Sequence, residues 1–276
     1  MCIVEISKIW KKIIYEVSSL SEKEPILSKF YYNNILKHKS LSFALSYILS
    51  NKLSTNTVST NILQKIFNEI YLDDSSILKA VVQDLKAVLK RDPVINNYLI
   101  PFLYLKGFHA LQSYRLSHYL WNLKNTSLSI YLQSRISTIF AVDIHPAASI
   151  GSGIMLDHAT GIVIGEGTIV EDDVSIFHSV TLGSTGKSLG KDRHPTIRKG
   201  VVIGSGAKVL GNIEVGIGSK IGAGSIVLKN IPAYVTVVGI PAKIVSSLNS
   251  EKKYAFKKSN CSTLSLEDFY YYGDGI

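Results

Sequence analysis

The stretch VVIGSGAKVLGNIEVGIGSKIGAGSIV (residues 201–227) carries an aliphatic side chain at every sixth position. These positions are Ile203, Val209, Val215, Ile221 and Val227. A period of six matches neither the 3.6-residue turn of a helix nor the two-residue alternation of a plain strand. It indicates a parallel β-helix, in which three hexapeptides form one triangular coil and successive coils lie about 4.8 Å apart.

The same period extends back to Ile144. Its earlier members are Ile144, Ile150, Leu156, Ile162, Thr168, Val174 and Val180, of which Thr168 alone is not aliphatic. The interval from Val180 to Ile203 is not a multiple of six, and the segment between them is glycine-rich and polar. We therefore predict a β-helix over residues 141–245 with an excursion loop at 183–199, and long loops inside a regular fold are usually functional.

Residues 1–140 lack this register, and their apolar residues recur at helical spacing over residues 26–36, 77–89 and 102–120. Three prolines stand where helices could begin: Pro25, Pro93 and Pro101. We predict an all-helical N-terminal domain of six to eight helices. Residues 246–276 lose the six-residue period, so the chain as a whole is predicted to be α+β with a flexible C-terminal tail.

Composition limits the classes of partner. Hydrophobic residues make up 46% and charged residues 18%, as in ordinary globular proteins. The net charge of +9 is spread thinly and accompanies no nucleic-acid-binding motif, so we expect no nucleic-acid partner. Two distant cysteines, Cys2 and Cys261, favour a reducing cytoplasm. Glu5 and Lys8 make the N-terminus a poor signal peptide, and no apolar run is long enough to span a membrane.

One candidate site lies in the first coil of the β-helix. Asp143 and His158 are 15 residues apart, which in an 18-residue coil places them on neighbouring coils and nearly in line. A carboxylate beside an imidazole fixes its tautomer and sharpens a general base. The alternative is that His158 only bonds backbone at a corner of the prism.

Two further segments carry charge. Arg193 and His194 end the excursion and offer a cation and a second imidazole, although a solvated loop would also suit them. Asp92 precedes Pro93, a pair typical of a helix N-cap. The histidines of the β-helix show no metal-ligand spacing, so we expect no metal site.

Around these residues the chain resembles the bacterial serine O-acetyltransferases. The stretches that carry the resemblance are RDP (91–93), LYLKGFHALQSYR (103–115), VDIHPAA (142–148), GIMLDHATGIVIGE (153–166), DRHP (192–195), LGNIEVG (210–216), GIPAKIV (239–245) and GDGI (273–276). They lie in both domains and the tail. GIPAKIV alone would indicate only the wider group of hexapeptide acyltransferases.

This resemblance implies a left-handed β-helix, an exception to the usual right-handed crossover. It implies homo-hexamers in which two trimers pair through their helical domains, with active sites between adjacent β-helices. The implied reaction transfers acetyl from acetyl-CoA, a co-substrate, to the hydroxyl of L-serine. This is the first step of cysteine biosynthesis, and no cofactor is permanently bound.

The resemblance also assigns roles to residues. His158 matches the catalytic base, Asp143 its orienting carboxylate and His194 a second active-site imidazole. The residues that match the amino-acid site are Asp92, Asp157 and Arg193, so Asp92 is expected both to cap a helix and to bind substrate. The residues that match the acetyl-CoA site are Gly183, Thr185, Ser205, Lys220 and Ala223. L-Cysteine is the implied feedback inhibitor.

The tail has an implied role of its own. In the family a terminal isoleucine, here Ile276, enters the active site of O-acetylserine sulfhydrylase. Two other functions stay open. The chain could be a hexapeptide acyltransferase with a different acceptor, which would leave Asp92 and Arg193 without a shared purpose. It could also be a scaffold or regulatory partner of the sulfhydrylase.

Overall fold

The computed structural model describes residues 2–186 and 193–247, with side chains from residue 4 onward. The middle of the predicted excursion and nearly all of the predicted tail, including Ile276, lie outside the described residues. The chain divides into two compact units, Met1–Phe140 and Ala141–Ile276, and each is considered by itself below.

The first unit is helical throughout its described residues, as predicted. Its eight α-helices are α1 (Cys2–Lys23), α2 (Ser28–Tyr31), α3 (Leu41–Leu53), α4 (Thr60–Asp73), α5 (Ser75–Arg91), α6 (Leu99–Leu103), α7 (Lys106–Asn122) and α8 (Thr126–Phe140). A 3-10 turn at Pro25–Leu27 and a π-helical turn at Tyr32–Leu36 flank α2. The predicted stripe at 26–36 is therefore three short elements, because Pro25 begins the 3-10 turn and Ile26 is exposed.

The motif at residues 103–115 is mainly structural. It forms most of α7, where Arg115 Nη2 donates to Asp84 Oδ2 of α5 at 2.7 Å and Gln112 donates to the same oxygen at 2.9 Å. His109 is buried and its Nε2 bonds the Phe102 carbonyl at 2.9 Å. Burial lowers the pKa of His109 to about 4, which keeps the ring neutral inside the helical core.

The second unit is a parallel β-helix, as predicted, and its coil handedness stays a prediction. Sheet A contains β1 (Val142–Ile144), β4 (Ile162–Ile164), β7 (Thr181–Gly183), β10 (Lys208–Leu210) and β13 (Ile226–Val227). Sheet B contains β2 (Ser149–Ile150), β5 (Ile169–Val170), β8 (Thr196–Ile197) and β11 (Glu214–Val215). Sheet C contains β3 (Met155–Asp157), β6 (Ser175–Phe177), β9 (Val202–Ile203), β12 (Lys220–Ile221), β14 (Val235–Val238) and β15 (Lys243–Ser247).

The coil length is not uniform. Ile203 pairs with Ile221 and Val209 with Val227, which is the expected 18-residue coil. In the first coil, however, Asp143 pairs with Val163 and Leu156 with Ile176, so this coil has 20 residues. The extra residues lie at the corner between β3 and β4.

The extra residues change the register that the sequence analysis assigned. The strand positions that continue from Ile144, Ile150 and Leu156 are Ile164, Val170 and Ile176, and Leu182 follows them. The assignment of Ile162, Thr168, Val174 and Val180 to these positions is wrong by two residues. Those four side chains are nevertheless completely buried, which is why the shift left no mark on the aliphatic period.

The excursion is shorter than predicted. Gly183 still belongs to β7, and Thr196 N–H already donates to the Ile213 carbonyl at 2.8 Å. Ile197 is buried in the prism. The chain is therefore outside the coil only over residues 184–195. At the other end, β15 continues to Ser247, two residues into the segment assigned to the tail.

Candidate active site

Two edges of the prism carry the candidate residues of the β-helix. We call the edge where the chain passes from sheet C to sheet A the C–A edge. The edge where it passes from sheet A to sheet B is the A–B edge. The functional candidates divide between these two edges, and a third group lies in the helical unit.

The C–A edge is a column of turns above one strand ladder. Leu156, Ile176, Ile203 and Ile221 pair in succession along sheet C. Two residues beyond each of them stand His158, His178, Ser205 and Ala223. The imidazole expected to act as a base thus shares one edge with two of the residues expected to bind acetyl-CoA.

The backbone at His158 is irregular. His158 and Ala159 have φ of 53° and 61°, values that non-glycine residues rarely adopt. Ala159 N–H donates to the Asp157 carbonyl at 2.5 Å, and Thr160 N–H donates to the His158 carbonyl at 2.8 Å. Two consecutive three-residue turns of this kind are strained, and such strain clusters at functional sites. They project His158 outward, with 76% of its side chain exposed.

Two side chains accompany the His158 ring. Asp157 Oδ1 lies 4.0 Å from His158 Nε2. The His178 ring lies edge-to-face against it, with centroids 5.7 Å apart and planes at 79°. The sequence analysis did not select His178 for this site. The signal that could have found it is the 20-residue spacing from His158, which becomes informative only once the first coil is known to have 20 residues.

His194 lies on the A–B edge. It is 8% exposed, and a Cβ on Gly165 would overlap its ring at Cδ2 and Nε2. Its Nδ1 accepts a hydrogen bond from Gly167 N–H at 3.2 Å, so a neutral His194 carries its proton on Nε2. Burial lowers the pKa of His194, Arg193 lowers it further and Glu166 opposes both.

Asp143 and His145 also belong to this side of the prism. Asp143 lies in β1 beside Val163, so its predicted alignment with His158 in an 18-residue coil is wrong. His145 Nδ1 accepts from Ala147 N–H at 3.1 Å. Burial lowers the pKa of His145, while the charges of Glu166 and Asp143 oppose that shift. His145 was not among the predicted site residues.

The residues expected to bind acetyl-CoA do not form one group. Ser205 and Ala223 stand on the C–A edge. Gly183 ends β7 at the A–B edge, where Thr185 packs so closely over Gly211 that a Cβ there would lie 3.2 Å from the Thr185 methyl carbon. Lys220 lies in sheet C between Val202 and Thr236, and burial lowers its pKa to about 8.

Asp92 does not have the capping role predicted for it. It stands at the C-terminal end of α5, and no helix begins at Pro93. Its carboxylate accepts the backbone N–H of Val94 at 2.9 Å in a turn. A proline blocks the helical conformation of the residue before it, so Asp92 ends a helix here instead of beginning one. Its carboxylate belongs to the helical unit.

Within residues 2–186 and 193–247, no three His, Cys, Asp or Glu side chains are grouped as metal ligands would be. None of the helices in these ranges combines the length and apolar character that crossing a lipid bilayer requires.

Comparison with known proteins gives a consistent family. A profile described as "Serine acetyltransferase, N-terminal" matches residues 9–113. The serine acetyltransferase of Buchnera aphidicola subsp. Acyrthosiphon pisum (strain APS) is 67% identical over 276 residues, which is 100% of both chains.

Solved structures agree with this comparison. A serine acetyltransferase in complex with cysteine is 54% identical with a TM-score of 0.85, and the match covers 87% of this chain and 99% of that one. A serine acetyltransferase in complex with CoA is 52% identical with a TM-score of 0.84, and the match covers 87% of this chain and 100% of that one.

Proposed function

This chain belongs to the serine acetyltransferase family, and from that premise we propose how its own residues transfer acetyl from acetyl-CoA to the hydroxyl of L-serine. Acetyl-CoA is the co-substrate, and O-acetyl-L-serine and CoA are the products. The observation that carries the residue assignment is the enlarged first coil. It projects His158 from the same edge on which Ser205 and Ala223 stand.

His158 is proposed as the general base. A serine hydroxyl is barely ionised at neutral pH, so a base must take its proton as the oxygen attacks the thioester carbonyl carbon. The exposed ring of His158 is free to meet a hydroxyl from solvent, and Asp157 stands close enough to stabilise the imidazolium that forms. The tetrahedral intermediate then collapses, the carbon–sulfur bond breaks, and the CoA thiolate takes up a proton.

His194 is proposed as a hydrogen-bond donor. Gly167 occupies its Nδ1, so its proton points outward on Nε2. The lowered pKa keeps the ring neutral in this tautomer near neutral pH. A fixed N–H donor suits the thioester oxygen, on which negative charge develops in the transition state.

Three charged side chains are proposed to grip the amino acid. Carboxylates of Asp92 and Asp157 suit its ammonium group, and the guanidinium of Arg193 suits its carboxylate. All three contacts use groups that L-serine shares with L-cysteine. We therefore propose that L-cysteine competes for this site, in keeping with the related enzyme that binds cysteine in its solved structure.

A second copy of the chain is proposed to complete each site. His158 and His194 stand on different edges of one prism, separated by sheet A. Adjacent prisms in a trimer would bring the C–A edge of one copy to the A–B edge of the next, and pairing of helical domains would give a hexamer.

Complementation between chains tests this arrangement. His158→Ala and His194→Ala chains, each nearly inactive alone, should recover a fraction of wild-type activity after co-expression in mixed trimers. Recovery is impossible if each chain builds its whole site alone. Light scattering would give the number of chains in the assembly.

The partner of the tail and the compartment are further proposals. The GDGI sequence at 273–276 resembles the segment that enters O-acetylserine sulfhydrylase in the family, and Ile276 lies outside the described residues. Deleting Ile276 should weaken that complex at least tenfold, about 1.4 kcal/mol, without changing acetyl transfer. Isothermal titration would measure this. The two distant cysteines favour a cytoplasmic location.

The decisive test of the function is release of free CoA thiol from acetyl-CoA with L-serine as acceptor. L-Threonine, L-homoserine and glycerol serve as matched hydroxyl acceptors. A strong preference for L-serine is expected. If another acceptor reacts faster, the chain is a hexapeptide acyltransferase of different specificity. If no acceptor reacts while the sulfhydrylase still binds, the chain is a scaffold for that enzyme.

A further inference from the structure

We propose that His178 is a positioning residue that holds the His158 ring in its reactive orientation. The inference rests on the proposed function, because it concerns the base of the same reaction. It assigns His178 no contact with substrate.

The position of His178 follows from strand pairing. Asp157 pairs with Phe177, so the residues that follow them, His158 and His178, are neighbours on successive coils of the C–A edge. Their rings meet edge-to-face, with centroids 5.7 Å apart and planes at 79°. Aromatic rings prefer this arrangement, because the positive edge of one ring meets the negative face of the other. The contact therefore selects an orientation of the His158 ring.

The His158 side chain needs such a contact. It is largely exposed and rises from strained turns. Asp157 Oδ1 at 4.0 Å attracts an imidazolium but is beyond hydrogen-bond distance, so it does not fix the angle of the ring. A base displaced by about 1 Å costs roughly 100-fold in rate.

His178 is itself better anchored than His158. Its carbonyl accepts the N–H of Gly206 at 2.9 Å, which ties it to the next coil. Its Nδ1 is buried and has no hydrogen-bonding partner among the described residues. A buried acceptor without a partner is tolerated better than a buried donor, so the proton belongs on Nε2. The ring is thus fixed by its own coil and serves as a support for a more mobile neighbour.

The test compares His178→Ala with His178→Phe, which keeps an aromatic ring. We expect His178→Ala to lower kcat about tenfold while KM for L-serine and acetyl-CoA stays within twofold of wild type. His178→Phe should recover most of kcat. Melting temperatures of the full-length assemblies show whether either variant is misfolded, and His118→Ala in α7 controls for loss of a histidine far along the sequence.

A double-mutant cycle gives the sharper result. If His178 acts through His158, removing it from a His158→Ala chain should change the residual rate less than twofold. Equal losses in both backgrounds would overturn the proposal, as would a wild-type kcat in His178→Ala or a rise in KM alone. A Phe variant as slow as the Ala variant would also overturn it, since the ring would then not be what matters. Failure of wild-type acetyl transfer would instead remove the proposed function itself.

Discussion

The coils through Ile203 to Val227 and the coils through Ile144 to Leu182 follow the same hexapeptide rule with different results. The later coils repeat every 18 residues, and the part of the chain that forms them contains no histidine. The earlier coils are enlarged at one corner and interrupted by an excursion. All four histidines of the β-helix lie in this irregular part: His145, His158, His178 and His194.

The difference lies at the edges of the prism and does not reach its interior. Ile176 and Ile221 pair along the same ladder through Ile203, and each is completely buried. The extra residues of the irregular coils are all accommodated outside this core. A β-helix can therefore carry chemistry at an edge without loosening the packing beneath it.

The largest expected effect is on the irregular corner. His158→Ala should lower the rate of acetyl transfer roughly 100- to 10,000-fold, the usual contribution of a general base. Because the side chain is exposed, the melting temperature should stay within about 2 °C of wild type. Steady-state thiol release and thermal unfolding measure the two quantities. A well-folded variant within threefold of the wild-type rate would remove His158 from the mechanism.

The next effect compares the interiors of the two regions. Ile176→Ala and Ile221→Ala should each lower the free energy of unfolding by about 2–5 kcal/mol, since both side chains are completely buried. Urea unfolding of the purified assemblies would measure both. A much smaller loss for Ile176→Ala would mean that the irregular coils are loosely packed, and would break the distinction between edge and core.

A smaller effect is expected on the A–B edge. Gly165→Ala should lower kcat about 10- to 100-fold, because the new Cβ would displace the His194 ring. Gly224→Ala is the matched control in the regular coils. It has φ of 68° and open space at its Cβ, so it should cost about 1 kcal/mol of stability and little activity. Similar kinetics for the two variants would argue against a catalytic position for His194.

The smallest effect concerns pH. Burial lowers the pKa of His145 and His194, so the folded state binds fewer protons than the unfolded state just below the ordinary value of about 6.5. Their neutral forms thus support stability fully above about pH 6.5, and the contribution is lost as pH falls toward the lowered pKa values. The variant His145→Asn/His194→Asn should lose less stability than wild type between pH 7 and 5. Identical pH dependence in urea unfolding would contradict the assignment.

The sequence predicted the architecture but not the register of the first coils. Two inward-facing frames exist in these coils, two residues apart, and both are filled by apolar or small residues. A two-residue enlargement moves the series from one frame to the other, so the six-residue period seems unbroken. Thr168, the one exception, was the visible trace, because the paired strand position is Val170.

The candidate site was predictable only in part, for similar reasons. His158 and His194 could be selected by residue type and motif, but their placement on separate edges depends on coil length and on where the excursion returns. Asp92 was misjudged because an Asp-Pro pair can end a helix as well as begin one. His178 escaped attention because nothing local in the sequence distinguishes it.

The regular coils have a consequence for how such a protein can change length. Because the faces repeat every 18 residues, duplicating residues 203–220 would add one storey and leave every later side chain on its own face. Removing six residues there would rotate everything that follows by a third of a turn, so Ala223 would leave the C–A edge. The antiparallel pairing of β15 with β14 ends the stack with a strand of opposite direction. Growth of this chain over generations is thus restricted to whole storeys inserted beneath that cap.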